Sequence, residues 1–109
     1  MKQNPLTNGL PPVHPGTILR EQTFPNLVDP ETGEKPTLIR LASYLGMTRQ
    51  GLGLILDGDR PVTVKTAVRL AKILGSSAEI WINMQAAYDL KLAEAKIDVS
   101  ALPVFARAE

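Results

Sequence analysis

Two short apolar segments separated by a glycine, between residues 37 and 58, limit the folds open to this chain more than any other feature. The first segment can be capped by Thr37, and its apolar residues recur at spacings of three and four, which is typical of one buried helix face. Those residues are Leu38, Leu41, Ala42 and Leu45. Gly46 permits a sharp turn, after which Thr48 can cap a second helix that stops at Gly58. The sequence therefore predicts two short helices joined by a tight turn.

Three further helices are predicted around this pair. One spans Thr17 to Gln22 after Pro15, a residue suited to a first helical turn, and another is capped by Thr63 and stops at Gly75. The last starts at Ser76 or Ser77 and runs to about Lys96, with an apolar stripe that favours a core or a dimer seam over a partner-binding surface. That stripe comprises Trp81, Met84, Tyr88 and Leu92. We expect an all-α, five-helix fold that contains a helix-turn-helix.

The two ends of the chain and one long connection depart from the helical pattern. Residues 1–13 hold three prolines and a glycine, which predicts an irregular N-terminal arm ahead of a helix-turn-helix domain over residues 14–97. The segment from Phe24 to Pro36 also holds three prolines and is predicted to be an irregular surface loop. The C-terminal tail, residues 98–109, is too apolar for a free coil, and we expect it to pack against another surface.

The composition excludes several classes of protein. The chain of 109 residues has room for one domain, and the lack of cysteine removes disulfides, thiol nucleophiles and cysteine zinc sites and fits a cytoplasmic location. No apolar run approaches the roughly 20 residues that a membrane helix requires. His14 is the only histidine and is assigned to a helix start, while Asp89 has no partner acid at helical spacing. We expect no enzyme activity, no metal and no cofactor.

The distribution of charge favours a nucleic-acid partner. The whole chain has a net charge of +1, but residues 48–72 hold five basic and two acidic residues and therefore a local charge of +3. In a helix-turn-helix, the first turn of the second helix enters the major groove of DNA. Arg49 can read guanine and Gln50 can read adenine from that turn. Four residues are predicted to hold phosphates: Thr48, Arg60, Thr63 and Lys65. Gly51 is the last member of the predicted DNA-binding set.

The same polar residues also have a simpler interpretation. Arg49 and Gln50 could be solvated residues at the start of a helix, and Arg60, Thr63 and Lys65 could lie on a solvated surface. Spacing alone does not separate these interpretations from DNA binding.

The order of these residues resembles the HigA-type antitoxins of addiction modules, which are helix-turn-helix proteins of the XRE/Cro type. Residues 14–21 read HPGTILRE, which is similar to the opening of that family. Residues 48–50 read TRQ and residues 60–63 read RPVT, as in the family's helix-turn-helix. Residues 66–90 read TAVRLAKILGSSAEIWINMQAAYDL and are similar to its C-terminal run. The resemblance covers roughly residues 14–95.

The resemblance implies a lambda-repressor-like homodimer that binds operator double-stranded DNA, represses its own operon and neutralises a HigB-like toxin. Such a toxin is a ribosome-dependent enzyme that cleaves mRNA. Two other hypotheses stay open. The chain could be a stand-alone repressor without a toxin. It could also be an interaction module that has lost DNA binding, because Gly51 and Gly53 weaken the second helix and Asp59 would repel phosphate.

Overall fold

Five α-helices follow one another in the computed structural model, which describes residues 13–108. They are α1 (Pro15–Ile18), α2 (Leu38–Tyr44), α3 (Arg49–Leu56), α4 (Val64–Leu74) and α5 (Ala78–Lys96). No strand occurs in this part of the chain. The predicted all-α class, the five helices and the helix-turn-helix formed by α2 and α3 are confirmed.

The helix starts are set by hydroxyl side chains that accept backbone N–H groups, as the sequence predicted. Thr48 Oγ1 accepts from the Gly51 nitrogen at 3.0 Å, and equivalent caps open three other helices. The capping residues of α2, α4 and α5 are Thr37, Thr63 and Ser77. Gly46, with φ of 71°, makes the left-handed turn after α2 that a side chain would strain. Local chemistry therefore places the boundaries of these helices.

The first helix differs from its prediction at both ends. It begins at Pro15, two residues earlier than expected, because His14 caps it. It then continues through a wider π-helical turn, Leu19–Thr23, and a 3-10 turn, Phe24–Asn26. The prediction of an irregular surface loop from Phe24 onward is wrong for these first residues, since Phe24 is buried in the core.

The rest of the predicted loop is a turn fastened to α2. The Asp29 carboxylate is buried and pairs with the Arg40 guanidinium, which also lies 3.1 Å from a Glu31 oxygen. The hydrogen bond from Arg40 lowers the pKa of Asp29 below its usual value. The backbone nitrogen of Asp29 donates to the Glu34 carbonyl at 2.7 Å. This segment is exposed over most of its length, but the ion pair gives it a fixed geometry.

The core is built from apolar side chains of α2, α3, α4 and α5 and of the two turns that follow α1. α1 and α2 both pack on α3, while α4 packs on α5. Aliphatic side chains fill the centre, and Trp81 closes it from α5. The largest fully buried aliphatic side chains of this core are Leu19, Leu45, Leu52, Ile55, Val62 and Leu70. The core interpretation of Trp81 is confirmed, and Tyr88 lies part-buried beyond it.

The C-terminal tail does not pack as expected. Val104 is 98% exposed and Phe105 is 84% exposed, and Leu102 is exposed as well. Beyond α5 the chain makes one turn, in which the Leu102 nitrogen donates to the Val99 carbonyl at 3.0 Å, and the apolar side chains after it stay exposed among residues 13–108. The predicted N-terminal arm, residues 1–13, lies outside the described residues apart from Val13. None of the described helices is both long and apolar enough to cross a membrane.

Candidate nucleic-acid interface

The first turn of α3 presents the two predicted base-reading residues to solvent. Arg49 and Gln50 are exposed, whereas Leu52, Ile55 and Leu56 on the other face are buried. The Thr48 cap fixes the direction in which this turn begins. A helix held by its apolar face with polar donors projecting from its first turn has the geometry needed to enter a major groove.

Gly51 differs from the other six predicted DNA-binding residues because it is buried. The remaining six are exposed: Thr48, Arg49, Gln50, Arg60, Thr63 and Lys65. The Arg60 side chain lies against Gly51. A Cβ added at position 51 would be only 3.1 Å from a nitrogen of the Arg60 guanidinium. Gly51 therefore offers no surface of its own for DNA, and the structure brings Arg60 onto the recognition helix.

The two threonines among the predicted DNA-binding residues are also helix caps. Thr48 opens α3 and Thr63 opens α4, where Thr63 Oγ1 accepts from the Thr66 nitrogen at 3.3 Å and donates to Thr66 Oγ1 at 3.2 Å. Lys65 lies in the exposed first turn of α4. The starts of α3 and α4 are thus the two places where the predicted phosphate contacts gather.

A cleft of about 440 Å³ beside α3 adds positive charge to this side of the molecule. Arg49 lines it together with Arg20 and Lys35, and its walls are apolar side chains that include Phe24 and Leu56. Arg20 is partly neutralised, since its guanidinium lies 3.6 Å from an Asp57 carboxylate oxygen, another side chain of the cleft. The cleft places cations next to the first turn of α3.

His14 caps the start of α1 and lies near the candidate interface. Its Nδ1 accepts from the Gly16 nitrogen at 2.9 Å, and its side chain lines a small pocket together with Arg60. The Tyr88 ring meets the imidazole edge-on, with 5.0 Å between centroids. The predicted helix-start role of His14 is confirmed, and the shared pocket places His14 beside the connection that carries Arg60.

Gln85 is a site residue that sequence reasoning missed, because only the apolar stripe of α5 was used to predict its buried face. It is buried, and its Oε1 accepts from the Val62 nitrogen at 2.8 Å while its Nε2 donates to Asp89 at 3.0 Å. Its position four residues after Trp81 was the signal for the buried face. Gln85 thereby holds the connection between α3 and α4 against α5. Asp89 accepts the hydrogen bond from the other end of the Gln85 amide.

Comparison with known proteins identifies the family. No protein-family model matches the chain. Virulence-associated protein I of Dichelobacter nodosus is 38% identical over 90 residues, which are 80% of this chain and 74% of that protein. A HigA-family addiction module antidote protein from Coxiella burnetii has a similar structure, with a TM-score of 0.66, 36% identity and coverage of 87% of this chain and 100% of that chain. The chain belongs to the HigA family of antitoxins.

Two other solved structures resemble this HigA-family chain. The antitoxin GraA has a TM-score of 0.70 and 32% identity, over 92% of this chain and 100% of that chain. The Pseudomonas aeruginosa antitoxin HigA, solved with the higBA promoter, has a TM-score of 0.67 and 28% identity, over 86% of this chain and 99% of that chain. The helices that carry the candidate interface therefore follow the arrangement of known HigA antitoxins.

Among residues 13–108, no group of three or more histidine, cysteine, aspartate or glutamate side chains is close enough to hold an ion.

The buried His14 should make the stability of this HigA-family protein depend on pH. Burial lowers the pKa of His14, although the nearby Asp89 charge partly opposes that shift. As the pH falls, the unfolded chain takes up this proton first, near the ordinary histidine pKa of about 6.5. The free energy of unfolding should therefore be at its highest above that pH. It should decline below it, until the pH reaches the lowered pKa of the folded state.

Urea denaturation at pH 5.5 and pH 7.5 measures this effect. His14→Asn is the matched control, because asparagine also caps helices but does not titrate in this range. The wild type should lose more stability on acidification than the variant. Equal losses in the two proteins would show that His14 does not carry the effect.

Proposed function

We propose that this chain is an antitoxin that binds operator double-stranded DNA and represses its own operon, with residues 14–97 as the DNA-binding domain. The observation that carries the proposal is the exposed pair Arg49 and Gln50 on the first turn of α3, a helix whose other face is buried. The similar P. aeruginosa HigA, which was solved with promoter DNA, supports the same use of the fold.

In this proposal, α3 lies in the major groove and the starts of α3 and α4 face the backbone. Arg49 donates two hydrogen bonds to guanine and Gln50 pairs with adenine. The Thr48 hydroxyl accepts an N–H within its cap, which leaves its own proton free to donate to a phosphate oxygen. Lys65 meets a phosphate from the start of α4, and Thr63 does so by turning its hydroxyl proton from Thr66 Oγ1 to a phosphate oxygen. Gly51 contributes to DNA binding without touching DNA.

The proposed active form is a homodimer. One module of this size buries too little surface to select a single site in a genome, whereas two modules on half-sites one helical turn apart multiply their selectivity. The apolar C-terminal tail supports this assembly because Val104 and Phe105 are exposed among the described residues of one copy.

The proposed protein partner is a HigB-like toxin, an mRNA-cleaving enzyme that the antitoxin neutralises. Support comes from family membership, and co-purification of the untagged product of the neighbouring gene with this chain tests it directly. Recovery of this chain alone would favour a repressor that acts without a toxin.

The salt dependence of binding tests the DNA proposal. We expect the affinity for a duplex from upstream of its own gene to fall steeply between 50 and 200 mM salt, about 0.9 logarithmic units per tenfold salt for each phosphate contacted. Lys65→Ala should reduce that slope by about one unit, whereas Lys96→Ala at the exposed end of α5 should leave it unchanged. Fluorescence anisotropy across a salt series measures both slopes. Lack of retention on the duplex at 50 mM salt would contradict the proposed function.

A further inference from the structure

Two glycines lie within α3, and their surroundings in the structure differ. A Cβ on Gly51 would lie 3.1 Å from an Arg60 guanidinium nitrogen and 3.3 Å from Thr48 Oγ1, distances that are tight for real contacts. A Cβ on Gly53 would meet no neighbouring group within 4 Å. The space left by the missing side chain is therefore occupied at position 51 and empty at position 53.

The position of Arg60 is defined at both its backbone and its side chain. Arg60 lines a small pocket together with His14, and two residues later the Val62 nitrogen donates to Gln85 Oε1 at 2.8 Å. Its guanidinium lies over Gly51, the residue directly after Gln50. Within residues 13–108, Arg60 forms no ion pair with a carboxylate, although Asp59 is its neighbour in the sequence. This arginine is exposed and its charge is not neutralised inside the described chain.

We propose that Gly51 is a positioning residue for Arg60, and that Arg60 is consequently a second base-reading arginine, beside Gln50, rather than a phosphate contact alone. The inference rests on the proposed function and deepens it. A side chain that lies against the first turn of the recognition helix enters the groove together with that turn. Arginine in the major groove selects guanine through two parallel hydrogen bonds, which a lysine cannot reproduce with the same planar geometry.

Arg60→Lys distinguishes base reading from phosphate binding, because it keeps the charge and removes the planar fork. If Arg60 reads a base, the ratio of affinities for the upstream duplex and for poly(dI-dC) should fall about tenfold or more, while the salt slope stays the same. If Arg60 only neutralises a phosphate, Arg60→Lys should leave that ratio close to the wild-type value. The ratio is measured by anisotropy competition at one fixed salt concentration.

Gly51→Ala tests the positioning role, and Gly53→Ala is its matched control. Both changes remove a glycine from the same helix, so both favour helix formation to a similar extent. The alanine methyl at position 51 displaces the flexible end of Arg60, whereas the methyl at position 53 enters open space. Gly51→Ala should lower the selectivity ratio severalfold, and Gly53→Ala should leave it unchanged. Thermal unfolding followed by circular dichroism checks that both variants are folded.

A double-mutant cycle with Arg60→Ala separates the possible causes. In the Arg60→Ala background, Gly51→Ala should have no further effect on selectivity, since there is no guanidinium left to displace. A persistent effect would mean that the methyl acts through Thr48 or against DNA, and it would overturn the positioning role. Full selectivity in Arg60→Lys would overturn the inference while leaving the proposed function standing. Failure of the wild type to bind any duplex would overturn both.

Discussion

Replacing Gly16 with alanine should lower the free energy of unfolding by about 3 kcal/mol, the upper part of the usual range for an overpacked interior. The backbone of α1 approaches α3 so closely at this point that a Cβ on Gly16 would overlap the carbonyl oxygen of Ile55. That oxygen belongs to the backbone of the recognition helix and cannot rotate away as a side chain can. The two helices would have to separate, which would open the core around Leu19 and Leu52.

Urea denaturation followed by far-ultraviolet circular dichroism measures this loss. Gly53→Ala provides the control, because its methyl meets no neighbour within 4 Å and should raise stability by up to about 1 kcal/mol. A Gly16→Ala protein with the wild-type midpoint would show that α1 can move away from α3 at little cost. The expected contrast between the two variants isolates the close approach from the general effect of removing a glycine.

The close approach explains why residues 14–16 act as one unit. His14 caps the helix, Pro15 supplies the first helical residue without needing a hydrogen-bonded N–H, and Gly16 lets that helix touch α3. From the sequence, His14 could be assigned to a helix start and Pro15 to a first turn, because both roles depend on adjacent residues. The role of Gly16 depends on Ile55, which lies far away along the chain.

The elements that the sequence predicted well are those that local interactions decide. The start of α3 was predicted from the Thr48 cap and its end before Gly58, and both hold because capping and apolar spacing act within one or two turns. The start of α1 was predicted two residues late because the cap is a histidine rather than a threonine or serine. The burial of Asp29 could not be inferred, because its partner Arg40 lies on another element.

For the candidate site, the sequence indicated which residues would be exposed but not how they are arranged. Arg49 and Gln50 could be placed on the first turn of a helix by spacing alone. Gly51 was predicted both as a member of the DNA-binding set and as a weak point of that helix, but its contact with Arg60 could not be inferred because that contact is tertiary. Their roles toward DNA stay predictions. The apolar tail shows the same limit, because its exposure within residues 13–108 depends on the tertiary structure.

The double substitution Arg49→Ala with Gln50→Ala should nearly abolish selective binding of operator DNA. Each bidentate contact to a base is worth about 1–3 kcal/mol of discrimination, so the loss of two amounts to roughly 2–6 kcal/mol, or at least about 30-fold in affinity. Both side chains are exposed and project from a helix whose other face is buried. Their removal should therefore leave the fold intact, so a mobility-shift assay on the upstream duplex at fixed salt reports binding alone.

Asn83→Ala with Lys96→Ala supplies the matched control, because it removes one amide and one positive charge from exposed positions on α5. This control should bind the duplex within about twofold of the wild type, since a distant surface cation contributes little to affinity at physiological salt. Unchanged operator affinity in the Arg49 and Gln50 variant would place the reading surface elsewhere on the molecule. Equal losses in both double variants would mean that net charge drives binding. Only a loss confined to the first turn of α3 is consistent with base recognition by that turn.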